Sequence, residues 1–376
     1  MSKNRCQIEL NILNKDPDKV GDPIYVTGNF NNWQVNDTYI GRIPSIGEKL
    51  SYTLLDIPLG ELEIKFNRGT WSTLQSSLDG VLLEPIQIPV SQDSQLEIEI
   101  EAWRDQFPNS TASPQVHILD DHFYFPELNV YRRIWIYLPK SYHLSEKSFP
   151  VLYMHDAQHL FDEATSLGRS GPVEWMVDET LDESLNPCIV VAIDHPNSYE
   201  DRMNEMMVHP SKDKSIAKGW NYLEDIVYTL KPYIDKHYRT KSDAKHTGML
   251  GSSLAGLLSI YAGLKYPTIF GLIASFSPSI WLDETNLYAV AEQLTNQKSV
   301  ENSNQHYYFY IGAKEKRIDR STNIEDMKLD LLAFADWFKE KIPNEITIDV
   351  LANGKHGAFY WQKAFKRFYD YWQSRW

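Results

Sequence analysis

The stretch Met249-Leu250-Gly251-Ser252-Ser253-Leu254-Ala255-Gly256-Leu257 sets two serines between a β-rich run and a helical pattern. A serine on a sharp strand-to-helix turn can attack an electrophilic carbon, provided the residues two before and two after it are small. With Ser253 as nucleophile those residues are Gly251 and Ala255; with Ser252 they are Leu250 and Leu254, which crowd the turn. Ser253 is therefore the candidate nucleophile. A hydroxyl at neutral pH needs an adjacent base, normally His, oriented in turn by an acid. His356 lies between Gly354 and Gly357, after the last expected strand and before the last expected helix, with room to turn its ring inward. Its competitor His306 enters a strand rather than leaving one. For the acid, Tyr310-Ile311-Gly312-Ala313-Lys314-Glu315 leaves a strand through glycine and reaches Glu315, with Asp319 as the alternative.

Such a reaction develops an oxyanion, which two backbone N–H groups would hold at about 3–4 kcal/mol per donor. One is Leu254, the residue after the nucleophile. The other is expected just past the run Val151-Leu152-Tyr153-Met154-His155-Asp156-Ala157-Gln158, at Ala157 or, alternatively, Gln158. His155 and Asp156 are adjacent, but no third or fourth metal ligand is spaced with them, so no metal site is expected. No organic cofactor is called for either.

Two kinds of pattern must position these residues. Up to about residue 103 short β-rich runs recur between turn clusters, and Leu96-Glu97-Ile98-Glu99-Ile100-Glu101 alternates strictly, giving one buried and one wet face. Residues 104–115, rich in Ser and Pro, read as a linker. From Val116 to Trp376 strands alternate with helices, and several strands are continuous apolar runs such as Ile189–Ile193, as expected of parallel strands buried on both faces. The organisation expected is a small β-sandwich over 1–103, a linker over 104–115 and an α/β domain over 116–376.

Composition narrows the partners. Hydrophobic residues at 42% and charged residues at 23% describe a globular chain of 376 residues, long enough for two domains. The net charge of −14 excludes the basic face that nucleic acid requires, and no polybasic patch invites an anionic membrane. The start of the sequence carries no apolar signal-peptide region, and the two cysteines build no disulfide framework. A cytoplasmic location is the expectation, with the oligomeric state left open.

The combination of Tyr153-Met154-His155-Asp156-Ala157-Gln158-His159-Leu160-Phe161, Gly251-Ser252-Ser253-Leu254-Ala255-Gly256 and Ser277-Pro278-Ser279-Ile280-Trp281 resembles the putative-esterase family of α/β-hydrolases. That family includes esterase D, feruloyl and acetylxylan esterases and enterobactin-type siderophore esterases. Gly312-Ala313-Lys314-Glu315 and Gly354-Lys355-His356 fall where the family carries its acid and base, in the chain order Ser, acid, His. Ala157, His159 and Ala255 depart from the family's more usual Gly, Asn and Gly. The N-terminal Tyr25-Val26-Thr27-Gly28-Asn29-Phe30-Asn31-Asn32-Trp33 and Phe66-Asn67-Arg68-Gly69-Thr70-Trp71 look like starch- and glycogen-binding sandwich modules. The resemblance implies an α/β-hydrolase fold preceded by an immunoglobulin-like β-sandwich. It further implies a serine carboxylic-ester hydrolase acting on a small-molecule or oligosaccharide ester. An acylated sugar and a siderophore lactone are the two substrate readings, and a non-catalytic glycan-binding protein is the alternative from another class. The expected cleft surface comes from Leu160–Glu183, Asp194–Trp220 and Trp281, with Asp156, Trp175 and Trp281 as substrate-binding candidates. Met203, Met206, Met207 and Trp220 would add apolar area to it.

Overall fold

A computed structural model describes residues 5–78, 83–106, 110–166, 173–196, 198–210, 216–295, 305–318 and 324–376. Two compact units divide the chain, Met1–Thr111 with Asp162–Glu174 and Ala112–Phe161 with Trp175–Trp376.

The first unit is built on β1 (Arg5–Asn14), β2 (Pro23–Gly28), β3 (Tyr39–Arg42), β4 (Lys49–Pro58), β5 (Gly60–Asn67), β6 (Gln75–Ser76), β7 (Ile86–Val90), β8 (Ser94–Ile100) and β9 (Ala102–Trp103). One sheet has the order β4-β1-β8, the other β3-β2-β5-β7, and β6 pairs with β9. Alternation does the sorting. Ile8, Leu10 and Ile12 of β1, Ile98 and Ile100 of β8, and Leu62, Ile64 and Phe66 of β5 enter one shared core, while Glu97 and Glu99 face water. Each such aliphatic side chain contributes about 1.5–3 kcal/mol by leaving water. Trp103 plugs this core, with the Arg68 guanidinium 5.4 Å from its ring centroid.

Within the segment 104–115, Arg104, Ser110 and Thr111 are each held by Asp162 or Glu163. Arg104 is buried and paired with Glu163 at 2.7 Å, while Ser110 Oγ and the Thr111 N–H donate to Asp162 at 2.6 and 3.1 Å. The first unit thus takes in Asp162–Glu174, an addition that composition gives no means of reading.

In the second unit β10 (Val116–Phe125) and β11 (Val130–Tyr137) form an antiparallel hairpin. They are followed by β12 (Val151–His155), β13 (Ile189–Ile193), β14 (Thr247–Ser252), β15 (Leu272–Phe276), β16 (His306–Gly312) and β19 (Glu345–Leu351), with β17 (Lys316–Ile318) and β18 (Ile324–Asp326) as a small separate ribbon. The large sheet is mixed, in the order β10-β11-β13-β12-β14-β15-β16-β19, and parallel from β13 to β19.

Strands β12 to β16 are buried along their whole length, so successive side chains feed two different cores. Val151 and Tyr153 enter one; Leu152 and Met154 enter the other. Helices α1 (Val177–Asp182) and α8 (Ala358–Trp372) cover the second face. The opposite face takes α2 (Tyr199–Met206), α3 (Gly219–Asp225), α4 (Lys231–His237), α5 (Leu254–Lys265), α6 (Glu284–Thr295) and α7 (Met327–Lys341). From β12 the chain moves to β13 on one side and then to β14 on the other. The loops leaving β12 and β14 therefore diverge at their carboxyl ends and open a crevice there. No helix among the described residues is long and apolar enough to cross a membrane.

Candidate active site

Ser253 stands in that crevice, between β14 and α5, with φ 56° and ψ −118°. A non-glycine residue in this region costs about 1–3 kcal/mol and persists only where its surroundings over-determine it. Here they do. The Ser253 N–H donates to Phe276 O at 2.9 Å, and its carbonyl accepts from the Leu257 and Ser279 N–H groups at 3.1 Å each. A Cβ on Gly251 would lie 2.5 Å from the Ala255 carbonyl carbon, so the position two before Ser253 admits only glycine. Ser252 is buried in the strand.

Three side chains meet at this turn. His356 Nε2 is 3.1 Å from Ser253 Oγ, and His356 Nδ1 donates to Glu315 Oε2 at 2.8 Å. Glu315 is 1% exposed, and its Oε1 accepts from the Gly312 N–H and the Ser277 hydroxyl, both at 2.7 Å. Ser277 Oγ in turn accepts from Trp361 Nε1 at 2.9 Å. The loops carrying acid and base are pressed together. A Cβ on Gly312 would lie 2.4 Å from the Gly354 carbonyl carbon, and the Lys314 N–H donates to Gly354 O at 2.9 Å. With Nδ1–H held by a carboxylate, Nε2 is left to accept the serine proton, an arrangement able to activate the hydroxyl and later protonate a leaving group. His306 is elsewhere, bonded to Thr347 and near Glu345. Asp319 lies outside the described residues.

Leu254 begins α5, so its N–H belongs to the first helical turn, whose amides have no intrahelical acceptor. Across the crevice Asp156 takes a left-handed conformation, φ 59° and ψ 48°, which reverses the chain after β12 and starts a short helical turn at Ala157. Arg202 Nε and Nη2 grip the two Asp156 oxygens at 2.7 and 2.6 Å. Burial would raise the Asp156 carboxyl, but the Arg202 charge and its hydrogen bonds outweigh it and hold the group well below the usual carboxylate range. Gln158 exchanges hydrogen bonds with the His195 backbone at 2.8 and 3.1 Å, and His159 Nε2 meets His195 Nε2 at 3.3 Å. Burial depresses both His155 and His159 to about 4, so both rings are neutral at pH 7.

The model of the family described as "Putative esterase" matches residues 126–371. The chain belongs to that family. Carboxylic-ester hydrolysis is the activity that membership carries. Over 196 residues the chain is 29% identical to the uncharacterized protein YbbA of Bacillus subtilis (strain 168), covering 50% of this chain and 71% of that one. It is 24% identical over 242 residues to the iron(III) salmochelin esterase of Escherichia coli O6:H1, covering 61% of this chain and 52% of the relative. In fold it is similar to the enterochelin esterase of Shigella flexneri, with a TM-score of 0.54 at 16% identity over 96% of this chain and 91% of the other.

The side chains expected on the cleft surface have these surroundings. Trp175 is buried, stacked on Phe276 with ring centroids 5.6 Å apart, because an indole on a hydrophobic face gains more from burial than from display. Asp156 receives Arg202 on both oxygens and shapes the loop. Trp281 is only half-buried, but its ring packs on the core with the Arg317 guanidinium 5.7 Å from its centroid. Met206 and Met207 are core residues, and Met203 and Trp220 pack against the same core. Of the segment 160–183, residues 162–174 belong to the first unit, and 167–172 lie outside the described residues. Ser277 and Ser279 enter the sequence reading only as part of the family resemblance, with no role assigned, and Arg202 is missed. Ser277 stands at φ 46°, and Ser279 Oγ lies 3.1 Å from Ser253 Oγ; the Ser277-Pro278-Ser279 triplet after a strand is the signal that marks them.

Proposed function

We propose that Ser253, His356 and Glu315 hydrolyse esters through a covalent acyl-enzyme. Ser253 Oγ attacks the ester carbonyl as its proton passes to His356 Nε2, and Glu315 steadies the imidazolium through Nδ1–H. The Leu254 and Ala157 N–H groups hold the oxyanion. His356 then protonates the leaving alcohol, and water repeats the sequence on the acyl group. The observation that carries the reading is the unbroken hydrogen-bonded chain from Ser253 through His356 to the buried Glu315, starting on a backbone turn strained in the manner of a nucleophile.

For the substrate we favour a siderophore lactone. Its support is the salmochelin esterase relative and the fold likeness to an enterochelin esterase over nearly the whole chain. An acylated sugar is the second reading, carried by Trp33 and Trp71, both partly exposed at turns of a two-sheet β unit of immunoglobulin-like type. The test is a panel of siderophore lactones, feruloyl and acetyl sugars and short aryl esters, with mass spectrometry of the quenched enzyme. An acyl adduct on Ser253 is expected, with turnover of the lactones exceeding that of the sugars. Hydrolysis that survives Ser253→Ala, or an adduct mapped to another residue, would overturn the mechanism.

A further inference from the structure

Outside the chain of Ser253, His356 and Glu315, one buried hydroxyl touches the reacting oxygen itself. Ser279 Oγ lies 3.1 Å from Ser253 Oγ, and the Ser279 N–H donates to Ser253 O at 3.1 Å, so one residue grips the nucleophile by side chain and by backbone. Ser279 is 4% exposed. A hydroxyl so far from water has to be hydrogen-bonded, and Ser253 Oγ is the one protein partner it meets among the described residues. The loop that carries it is fixed at each step. Ser277 turns the chain at φ 46°, and its N–H donates to Tyr310 O at 2.7 Å. Pro278 O accepts from the Ile280 N–H at 2.9 Å, and Ile280 is buried. The two serines of this triplet reach both ends of the catalytic chain: Ser277 Oγ donates to Glu315 Oε1 at 2.7 Å, and Ser279 meets Ser253.

The available hydrogens fix the direction of the second contact. Glu315 Oε2 holds the Nδ1–H of His356, so Nε2 of the neutral ring carries no hydrogen and accepts from Ser253 Oγ, 3.1 Å away. A serine hydroxyl has one hydrogen, and that of Ser253 is committed to His356. The hydrogen between the two serines therefore belongs to Ser279, and Ser253 Oγ accepts it. Three of the four tetrahedral directions around the Ser253 oxygen are then occupied, by Cβ, by the hydrogen toward His356 and by the lone pair toward Ser279. One lone pair remains, fixed in direction.

We propose that Ser279 is a further catalytic residue, whose hydroxyl donates to the attacking oxygen of Ser253, fixes its rotamer and stabilises the negative charge it gains as His356 takes the proton. The inference rests on the esterase mechanism above and adds a residue to it. In the step itself the remaining lone pair of Ser253 Oγ forms the bond to the acyl carbon, and the carbonyl π pair moves to its oxygen. The Ser253 proton passes to His356 Nε2, and Ser279 keeps its own proton throughout. A hydrogen bond to an oxygen acquiring charge is about twice as strong as one to a neutral hydroxyl, so this bond favours the transition state over the resting enzyme.

Ser279→Ala removes the hydroxyl and keeps the backbone bonds. Two rates read the attack by Ser253: kcat/KM for 4-nitrophenyl butanoate, and the second-order rate constant for inactivation by phenylmethanesulfonyl fluoride, which sulfonylates a nucleophilic serine as fluoride leaves. Both should fall roughly 3- to 10-fold at unchanged melting temperature, the worth of one hydrogen bond. If the Ala variant melts early, Ser279→Thr is compared with Ser279→Val, alike in shape, and the same ratio is expected between them. A third reading needs no substrate. In a Ser253→Cys background the acidity constant of the thiol, followed by alkylation with iodoacetamide against pH, should fall by a similar factor when Ser279→Ala is added, because the thiolate loses a donor; mere packing of the loop would not move it. Inactivation within twofold of wild type, or an unchanged thiol acidity, would overturn the inference and leave the esterase mechanism standing. A wild-type chain that neither hydrolyses the ester nor is labelled on Ser253 would overturn both.

Discussion

Replacing Glu315 by Gln tests the acid in a way that alanine does not. Glu315 Oε1 accepts from two donors, the Gly312 N–H and the Ser277 hydroxyl, whereas Oε2 faces His356 Nδ1. In the Gln variant the amide oxygen must take the Oε1 position, because an NH2 there would meet an N–H. Ser277 cannot easily turn to accept instead, since its oxygen already accepts from Trp361 Nε1. The NH2 then points at His356 Nδ1, forces that nitrogen to accept, and places the ring proton on Nε2, facing Ser253. A ring in that tautomer cannot take the serine proton. The flipped amide restores the working tautomer but leaves buried donors opposed, at about 1–3 kcal/mol, so only about one molecule in ten to one in a hundred is competent. Loss of the carboxylate charge beside the developing imidazolium adds to this. We expect kcat to fall at least tenfold and toward a hundredfold or beyond, with KM little changed, in steady-state hydrolysis of a 4-nitrophenyl ester. Glu315→Ala, which disorders the ring without imposing the wrong tautomer, should be no worse than Glu315→Gln. Retention of kcat within about threefold in the Gln variant, or a Gln variant clearly more active than the Ala variant, would refute the reasoning.

Ser253→Ala should abolish ester hydrolysis at unchanged melting temperature while Ser252→Ala keeps substantial activity, and His356→Ala should match the Ser253 loss because the members act as a unit; an inactive Ser252 variant beside an active Ser253 variant reverses the assignment. Gly354→Ala should lower kcat about tenfold or more by prising the acid and base loops apart, since its Cβ would lie 2.7 Å from Gly312 Cα and 3.0 Å from the Tyr310 hydroxyl; wild-type turnover in this variant would show that the loops yield freely. Stability should fall on acidification, because His155 and His159, neutral in the fold down to about pH 4 through burial, are free to take protons in the unfolded chain below about 6.5. The unfolded state then binds more protons, so this contribution is intact above about pH 6.5 and is lost toward pH 4, by about 3 kcal/mol per ring at most. Urea midpoints measured from pH 7 to 4.5 check it, and a His159→Gln variant with the same pH slope as the wild type would sink the assignment for that ring.

The parallel part of the sheet is legible because burial on both faces leaves no polar positions in a strand. The run at Ile189–Ile193 has no alternation to obscure it, and Leu96–Glu101 alternates because only one of its faces is buried. The hairpin of Val116–Phe125 and Val130–Tyr137 reads only in part, as His117–Leu119 and Ile134–Leu138. It lies at the sheet edge, where Asp120, Asp121 and His122 are exposed and break the pattern. Helices Val177–Asp182 and Tyr199–Met206 are missed for a related reason. They are six and eight residues long, too short for a 3.6-residue period to repeat convincingly. The packing of Asp162–Glu174 with the β unit depends on partners such as Arg104, 59 residues away from Glu163, and no local pattern encodes that separation.

The same distinction explains which parts of the site could be read. Ser253, Glu315 and His356 each sit beside a glycine that a close backbone approach requires, at Gly251, Gly312 and Gly354, so their chemistry leaves a local mark in the sequence. Arg202 and Asp156 are 46 residues apart, and no local pattern at either position encodes that they pair. Trp175 shows the converse error. Its residue type suits a substrate platform, yet its ring lies 6° from parallel with Phe276 inside the core, because an aromatic side chain is drawn by the same burial free energy toward a ligand or toward its own fold. Residue type alone does not separate the two outcomes. What decides the outcome for Trp175 is its neighbour, since the parallel Phe276 ring already fills the face that a ligand would need.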